Sequence, residues 1–197
     1  MMGLRLATAP PGRRLGLKGP GAADWLASQG IVLPPRPNTW AARADKAADA
    51  ADATHGADGA DGADGAFVVA RLGASEFFLE EGAAGRTLLG LAQSLRATPP
   101  GVYPVLREDD ALVLSGDAVH DLLAQVCNVD FASLDLDAQP VIMTLMIGVS
   151  VLVLPQTSTG TGRRYRIWCD PTFGGYLRET LAALVRDNGG TQSGVAA

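Results

Sequence analysis

Apolar residues in this 197-residue chain gather into short runs separated by Gly, Pro and Asp, and the runs come in two similar series. In the first series, Leu15–Leu17 predicts a short strand and Gly19-Pro20-Gly21 a turn. Ala22–Ser28 then predicts a short helix with Trp25 and Leu26 facing inward and Gly30 ending it. Ile31–Asn38 reads as extended, because Pro34, Pro35 and Pro37 each bias their predecessor away from helix. Phe67–Leu72 and Glu76–Glu80 read as a hairpin hinged at Gly73-Ala74-Ser75. Gly82 and Gly85 open a helix over Arg86–Arg96, whose Leu88, Leu89, Leu91 and Leu95 stand near helical spacing. Pro99, Pro100 and Gly101 close this half.

The second series repeats the order. Tyr103–Arg107 predicts a strand, Asp109 and Asp110 a turn, and Ala111–Leu114 the strand before a turn at Gly116. A helix follows from Asp117, a candidate N-cap, to about Val126. After a loop over Asp130–Gln139, the run Val141–Leu154 lies between Pro140 and Pro155. Its β-branched and Met-rich content favours strands over helix, with Gly148 as a bulge or hinge between two segments. Gly160–Arg163 is a turn, Arg164–Trp168 a strand and Phe173–Val185 a final helix.

The likeness of the two series extends to identity. Leu17–Gly30 and Leu114–Cys127 align without gaps, and five positions coincide: Leu17 with Leu114, Gly19 with Gly116, Asp24 with Asp121, Leu26 with Leu123, and Ala27 with Ala124. In both copies a strand end runs into a Gly turn and then an apolar-faced helix. Glycine suits such a turn because it accepts positive φ. The expected architecture is therefore α+β: a two-lobed pseudo-repeat of mainly antiparallel sheets with helices packed on them. The expected divisions are an irregular arm over 1–14, a first lobe over 15–101, a second over 102–187 and a disordered tail over 188–197.

Within the first lobe, Ala41–Ala66 is a low-complexity stretch of Ala, Gly and Asp, with Gly-Ala-Asp written three times over Gly56–Asp64. Repeated Asp and Gly invite a calcium reading. Calcium-binding repeats, however, need a recurring large apolar residue to build a β-roll, and this stretch has none. It reads as a solvated, mobile loop, too poor in apolar side chains to offset the entropy of ordering.

Composition narrows the function classes. Apolar content is 47% and net charge −5, with a pI near 4.9, a balance that argues against a nucleic-acid partner. Two cysteines, Cys127 and Cys169, make neither a CxxC pair nor a disulfide framework, which favours a reducing compartment. No apolar leader precedes Arg14, and the longest apolar run is shorter than the roughly 18 to 20 residues of a membrane helix. The expectation is a cytoplasmic protein with no membrane partner.

Candidate chemistry is sparse. The histidines are His55, in the low-complexity stretch, and His120, beside Asp121. Cys127 lies about two helical turns beyond His120, too far for shared metal ligation from one straight helix. Ser115, His120 and Asp121 have the residue types of a hydrolase triad, but the G-x-S-x-G elbow lacks its first glycine. Gly19-Pro20-Gly21 begins like a dinucleotide fingerprint, yet Asp24 stands where its third glycine belongs. Arg163 and Arg164 follow a Gly-rich turn, where they either grip a carboxylate or phosphate or form a solvated strand edge, the commoner case. With Trp168, Phe173 and Tyr176 they make a candidate partner interface, since aromatics with Arg are enriched at such surfaces; the other reading of these aromatics is a core cluster. No catalytic, cofactor-binding or metal-ligating residue is assigned.

The stretches GLKGPGAADWLA, ARLGASEFFLE, LVLSGDAVHDLLAQVCNVDF, PVIMTLMIGVSVLVLP and YRIWCDPTFGGYLRETL together resemble the gamma subunit of heterotetrameric sarcosine oxidase. The resemblance runs from about Leu15 to Val185, the Ala/Asp/Gly stretch excepted, and is strongest in the Gly116 helix through Asp130 and in Tyr165–Leu181. It implies the two-lobed fold of the folate-binding aminomethyltransferases (glycine-cleavage T-proteins). It also implies a non-catalytic chain that packs chiefly against an alpha subunit in a complex with beta and delta subunits. The expected cofactors, FAD, FMN, NAD, tetrahydrofolate and zinc, belong to those partners. Such a complex demethylates sarcosine oxidatively to glycine, passes the one-carbon unit to tetrahydrofolate and produces hydrogen peroxide. Related complexes act on other N-methyl amino acids. The competing expectation is a stand-alone folate-binding protein of the aminomethyltransferase type, for which Asp121 and Asp130 are the candidate pterin carboxylates.

Overall fold

The computed structural model describes residues 3–43, 66–157 and 162–195. In chain order its strands are β1 (Arg5–Thr8), β2 (Gly12–Lys18), β3 (Thr39–Arg43), β4 (Phe67–Arg71), β5 (Glu76–Gly82), β6 (Tyr103–Val105), β7 (Asp110–Ser115), β8 (Ile142–Met146), β9 (Val149–Thr157), β10 (Arg163–Cys169) and β11 (Thr191–Val195). The helices are α1 (Ala22–Ser28), α2 (Thr87–Ser94), α3 (Val119–Val126) and α4 (Pro171–Asp187). The fold is α+β, with antiparallel sheets and few helices. Two units divide it: Pro11–Arg107, and Met1–Pro10 together with Glu108–Ala197.

The Pro11–Arg107 unit is a five-stranded antiparallel sheet in the order β3-β4-β5-β2-β6. Alternation along its strands sends Leu17, Phe67, Val69, Phe77 and Leu79 to one face. There they form a core with Ala22 and Leu26 of α1, Leu88 and Leu91 of α2, and Val102. The other unit is a six-stranded sheet in the order β11-β1-β7-β10-β9-β8. All its pairings are antiparallel except β1 with β11. Its core joins Leu114, Val153, Tyr165 and Ile167 of the sheet to Leu122 and Leu123 of α3 and Leu177 and Leu181 of α4.

Set β11 aside and the two strand orders are the same, β1-β7-β10-β9-β8 matching β6-β2-β5-β4-β3. The strand beside the first strand of each repeat is the irregular piece. In one unit it is β6, which follows the repeat; in the other it is β1, which comes from the chain's opposite end.

The repeat is closest at its turns. Gly19 has φ +119 and Gly116 has φ +123, values that L side chains avoid. In both, the carbonyl of the turn glycine accepts the N–H three residues on, at the first helical residue: Ala22 to Gly19 at 3.0 Å and Val119 to Gly116 at 3.4 Å. A second N–H, from Trp25 to Gly21 and from Leu122 to Ala118, continues each helix at matching positions. The glycines also permit close backbone approach. A Cβ on Gly19 would stand 2.2 Å from the Gly101 carbonyl oxygen, and one on Gly116 2.6 Å from that of Gly3.

Several sequence expectations need correction. The arm expected over 1–14 contains β1 and the start of β2, and the tail expected over 188–197 contains β11. These end segments are ordered by pairing with each other, a contact between residues nearly the whole chain apart. The second unit begins at Glu108 rather than at 102, because β6 pairs with β2. Ala41 and Ala42 lie in β3 rather than in the low-complexity loop, while 44–65, with the calcium reading and His55, lie outside the described residues. Asp117 does not cap α3, whose N-cap is Ala118 with no side-chain bond. Gly148 is neither bulge nor hinge. With Ile147 at φ +44 and Gly148 at φ +84, it forms a two-residue hairpin loop between β8 and β9, the pair of positive φ angles that a type I′ turn requires.

Candidate functional site

Strand β10 lies between β7 and β9, so both of its edges are paired, and the side chains from Arg164 to Cys169 are buried on both faces. Tyr165, Ile167 and Cys169 point into the core beneath α3 and α4. Arg164, Arg166 and Trp168 share the opposite face, and all are buried. Arg164 donates from Nε to Gln156 Oε1 at 3.0 Å. The Arg166 guanidinium stacks over Trp168, 5.3 Å from its ring. The expected interface set is therefore split. Arg164 and Trp168 are interior residues, and Arg163 sits exposed at the strand's start.

Phe173 and Tyr176 are on α4 and are 52% and 54% exposed. Asp170 sets the start of this helix by accepting from the Thr172 N–H at 2.8 Å, with Pro171 in the first turn. Hydrogen bonds from Thr172 hold the Asp170 carboxyl below its ordinary value. Gly174 lets the Asp110 carboxylate lie against the first turn, where a Cβ would overlap it, and a negative charge there suits the helix dipole. The Tyr176 hydroxyl donates to the Ile147 carbonyl at 3.4 Å, in the loop after β8. On β8 itself Met143 and Leu145 are 55% and 60% exposed. Large apolar side chains exposed on an outermost strand are costly in water. Local sequence does not single out these two, because the run Ile142–Met146 is apolar on both strand faces and only the outer position of β8 distinguishes Met143 and Leu145 from the buried Ile142 and Met146.

The residues weighed for chemistry do not assemble a nucleophilic centre. His120, on α3, shares a hydrogen bond of 2.5 Å through Nε2 with the Tyr165 hydroxyl, rather than reaching Ser115. Phe131 meets the Tyr165 ring edge-on at 5.2 Å. Burial, and then the nearby Arg163, lower the His120 pKa, opposed by Asp130 and Asp121. Burial raises that of Tyr165. Cys169 is pushed up to about 11, by burial first and then by Asp110, Asp109 and Asp170, so it is a neutral thiol at physiological pH. Cys127 lies 3.6 Å from Thr144 Oγ1. Among the described residues no three His, Cys, Asp or Glu side chains are placed to hold a metal ion, and no helix is long and apolar enough to cross a membrane.

Asp121 and Asp130 are both exposed, and Asp130 accepts from the Ala132 N–H, so neither is the buried carboxylate that a pterin site requires. Among the described residues the buried carboxylates are Glu80 and Glu81. Glu80 pairs with Arg14 Nε at 2.9 Å, and Glu81 accepts from the Leu88 N–H at the start of α2 at 3.1 Å. Adjacent residues on a strand point to opposite faces, so the burial of both glutamates means that both faces of β5 are covered at this point, which local sequence does not record.

No family model and no curated protein matches this sequence. Solved structures do. A chain of the heterotetrameric sarcosine oxidase from Corynebacterium sp. U-96, in complex with pyrrole 2-carboxylate, superimposes with a TM-score of 0.66 at 20% identity. The match covers 96% of this chain and 87% of that one. The glycine cleavage system aminomethyltransferase T from Bartonella henselae gives 0.65 at 16% identity, covering 98% of this chain and 48% of that one. The chain thus spans about half the length of the transferase. What it shares with both proteins is the aminomethyltransferase-like fold.

Proposed function

We propose that this chain is the non-catalytic gamma-type subunit of a heterotetrameric, flavin-dependent sarcosine oxidase. Its role is to stabilise the folate-binding region of the alpha subunit in a cytoplasmic complex with alpha, beta and delta subunits. The observation that carries this reading is the extent of the likeness: 96% of this chain against 87% of a chain from a sarcosine oxidase heterotetramer, nearly one whole subunit on another. FAD, FMN, NAD, tetrahydrofolate and zinc belong to the partners in this reading, and this chain contributes packing. The surface offered to the alpha subunit is the exposed apolar set Phe173, Tyr176, Met143 and Leu145, with Arg163 as a polar contact. The same role in a complex acting on another N-methyl amino acid would use the same surface.

The test is purification of the tagged chain from its native host, with a flavin absorbance spectrum of the eluate. A yellow complex of several subunits that oxidises sarcosine supports the subunit reading. A colourless monomer whose melting temperature rises with tetrahydrofolate overturns it in favour of a stand-alone folate-binding protein.

A further inference from the structure

The His120–Tyr165 pair is a polar fastening where the repeat does without one. Aligning the Gly turns places His120 on Ala23, and the register that pairs Leu114 with Tyr165 pairs Leu17 with Phe77. The equivalent position in the other unit is therefore Ala23 beside a strand Phe77, an apolar pair. The fold itself does not demand the hydrogen bond.

We propose that the His120–Tyr165 hydrogen bond is a pH-sensitive latch that fastens α3 to β10 when His120 is neutral and releases it when His120 is protonated. Tyr165 is 1% exposed, and among the described residues His120 is the partner of its hydroxyl. Neutral His120 in the tautomer protonated at Nδ1 accepts a hydrogen bond at Nε2 from the Tyr165 O–H. A protonated His120 has only donors, which leaves the buried O–H without an acceptor and is costly. The charges facing the ring are Arg163 from β10, which opposes protonation, and Asp121 of α3 and Asp130 just beyond it, which favour it. Burial and Arg163 prevail, so the native pKa lies below the ordinary 6.5. The stabilisation is thus full above about 6.5 and is lost as pH falls through the lower native value.

The experiment uses the full chain, its two histidines assigned by His55→Gln, and follows the His120 ring protons by NMR titration. The expected midpoint lies below 6.5 and rises in Tyr165→Phe. In parallel, the thermal midpoint of the wild type falls by about 2 °C more than that of His120→Ala between about pH 7.5 and 5.5. Amide exchange over residues 119–126 also quickens on acidification by about twofold or more relative to residues 22–28. A wild-type His120 midpoint at or above 6.5, or one unmoved by Tyr165→Phe, overturns the latch. So does equal acid sensitivity of wild type and His120→Ala. Should His120→Ala fail to fold, Tyr165→Phe decides, since the repeat already accommodates a phenylalanine at that position.

Discussion

The two units run the same strand order through different side chains, and the difference separates what the topology needs from what each unit chose. Both keep the turn glycine, with φ +119 at Gly19 and +123 at Gly116. Both keep the buried leucine of the helix, Leu26 and Leu123. Elsewhere the chemistry is exchanged wholesale. Arg14 and Glu80 form a part-buried ion pair across β2 and β5, and the equivalent cross-strand pair in the other unit is Ala111 with Trp168. Ala23 and Phe77 stand where His120 and Tyr165 share a hydrogen bond. On the outermost strand, Ala42 occupies the outward place that Met143 fills. The turn is constrained by backbone geometry, whereas the pairs are constrained only by filling space and satisfying polar atoms, which several residue combinations can do.

The largest effect should come from breaking what the units share. Gly19→Ala and Gly116→Ala each force an L side chain to positive φ and drive its Cβ against a backbone carbonyl. Strain and overpacking together should cost about 3 to 5 kcal/mol in either unit, read by urea denaturation. A loss under about 1 kcal/mol at either site would mean that the two turns are not equivalent.

Next is the exchanged charge pair. Glu80→Ala removes the carboxylate from the part-buried Arg14 and should cost about 2 kcal/mol. Arg14→Met with Glu80→Met replaces both by apolar groups of similar size. If an apolar pair serves here as Ala111 and Trp168 do, the double variant should come within about 1 kcal/mol of wild type. A double variant as unstable as Glu80→Ala would show that this unit relies on the ion pair itself.

Smaller still is the conversion of one unit's pair into the other's. His120→Ala alone strands the buried Tyr165 hydroxyl and should cost about 1 to 2 kcal/mol. Adding Tyr165→Phe removes the stranded group and should recover most of it, leaving a loss of about 0.5 kcal/mol. Equal losses in the single and double variants would contradict the account of Tyr165 as satisfied by His120.

The repeat was legible in sequence because its constraint is local. A glycine at positive φ between a strand and a helix leaves a mark at Gly19 and Gly116 that needs no knowledge of distant partners. α1 begins and ends as read, at Ala22 and Ser28, for the same reason. β1 and β11 were not legible. They are short strands at the chain ends that exist by pairing, Arg5 with Thr191 and Arg5 with Ser115, and no local pattern records a partner so far away. β3 was hidden by alanines that favour strand weakly. Of the candidate interface residues, Arg164 and Trp168 lie on a buried face of β10, because burial on a strand depends on what packs over its face, which local sequence does not record. Phe173 and Tyr176 are exposed on α4, and the exposure of Met143 and Leu145 follows only once β8 is known to be outermost.

The smallest effect carries the opposite sign and isolates the cause of the largest. Gly90 is in α2, with no φ in the left-handed region and no atom within 4 Å of an added Cβ. Glycine there gains nothing from its freedom and loses more backbone entropy on folding than alanine does. Gly90→Ala should therefore stabilise the protein by about 0.5 to 1 kcal/mol, raising the urea midpoint while leaving the slope unchanged. The chemical change is the same as at Gly19 and Gly116, one methyl group, so opposite outcomes at the three sites would assign the cost at the turns to backbone conformation and close approach. If Gly90→Ala instead destabilised the protein, the face of α2 that carries Gly90 would have to be packed rather than open, and the account of that helix as docked through Leu88 and Leu91 alone would fail.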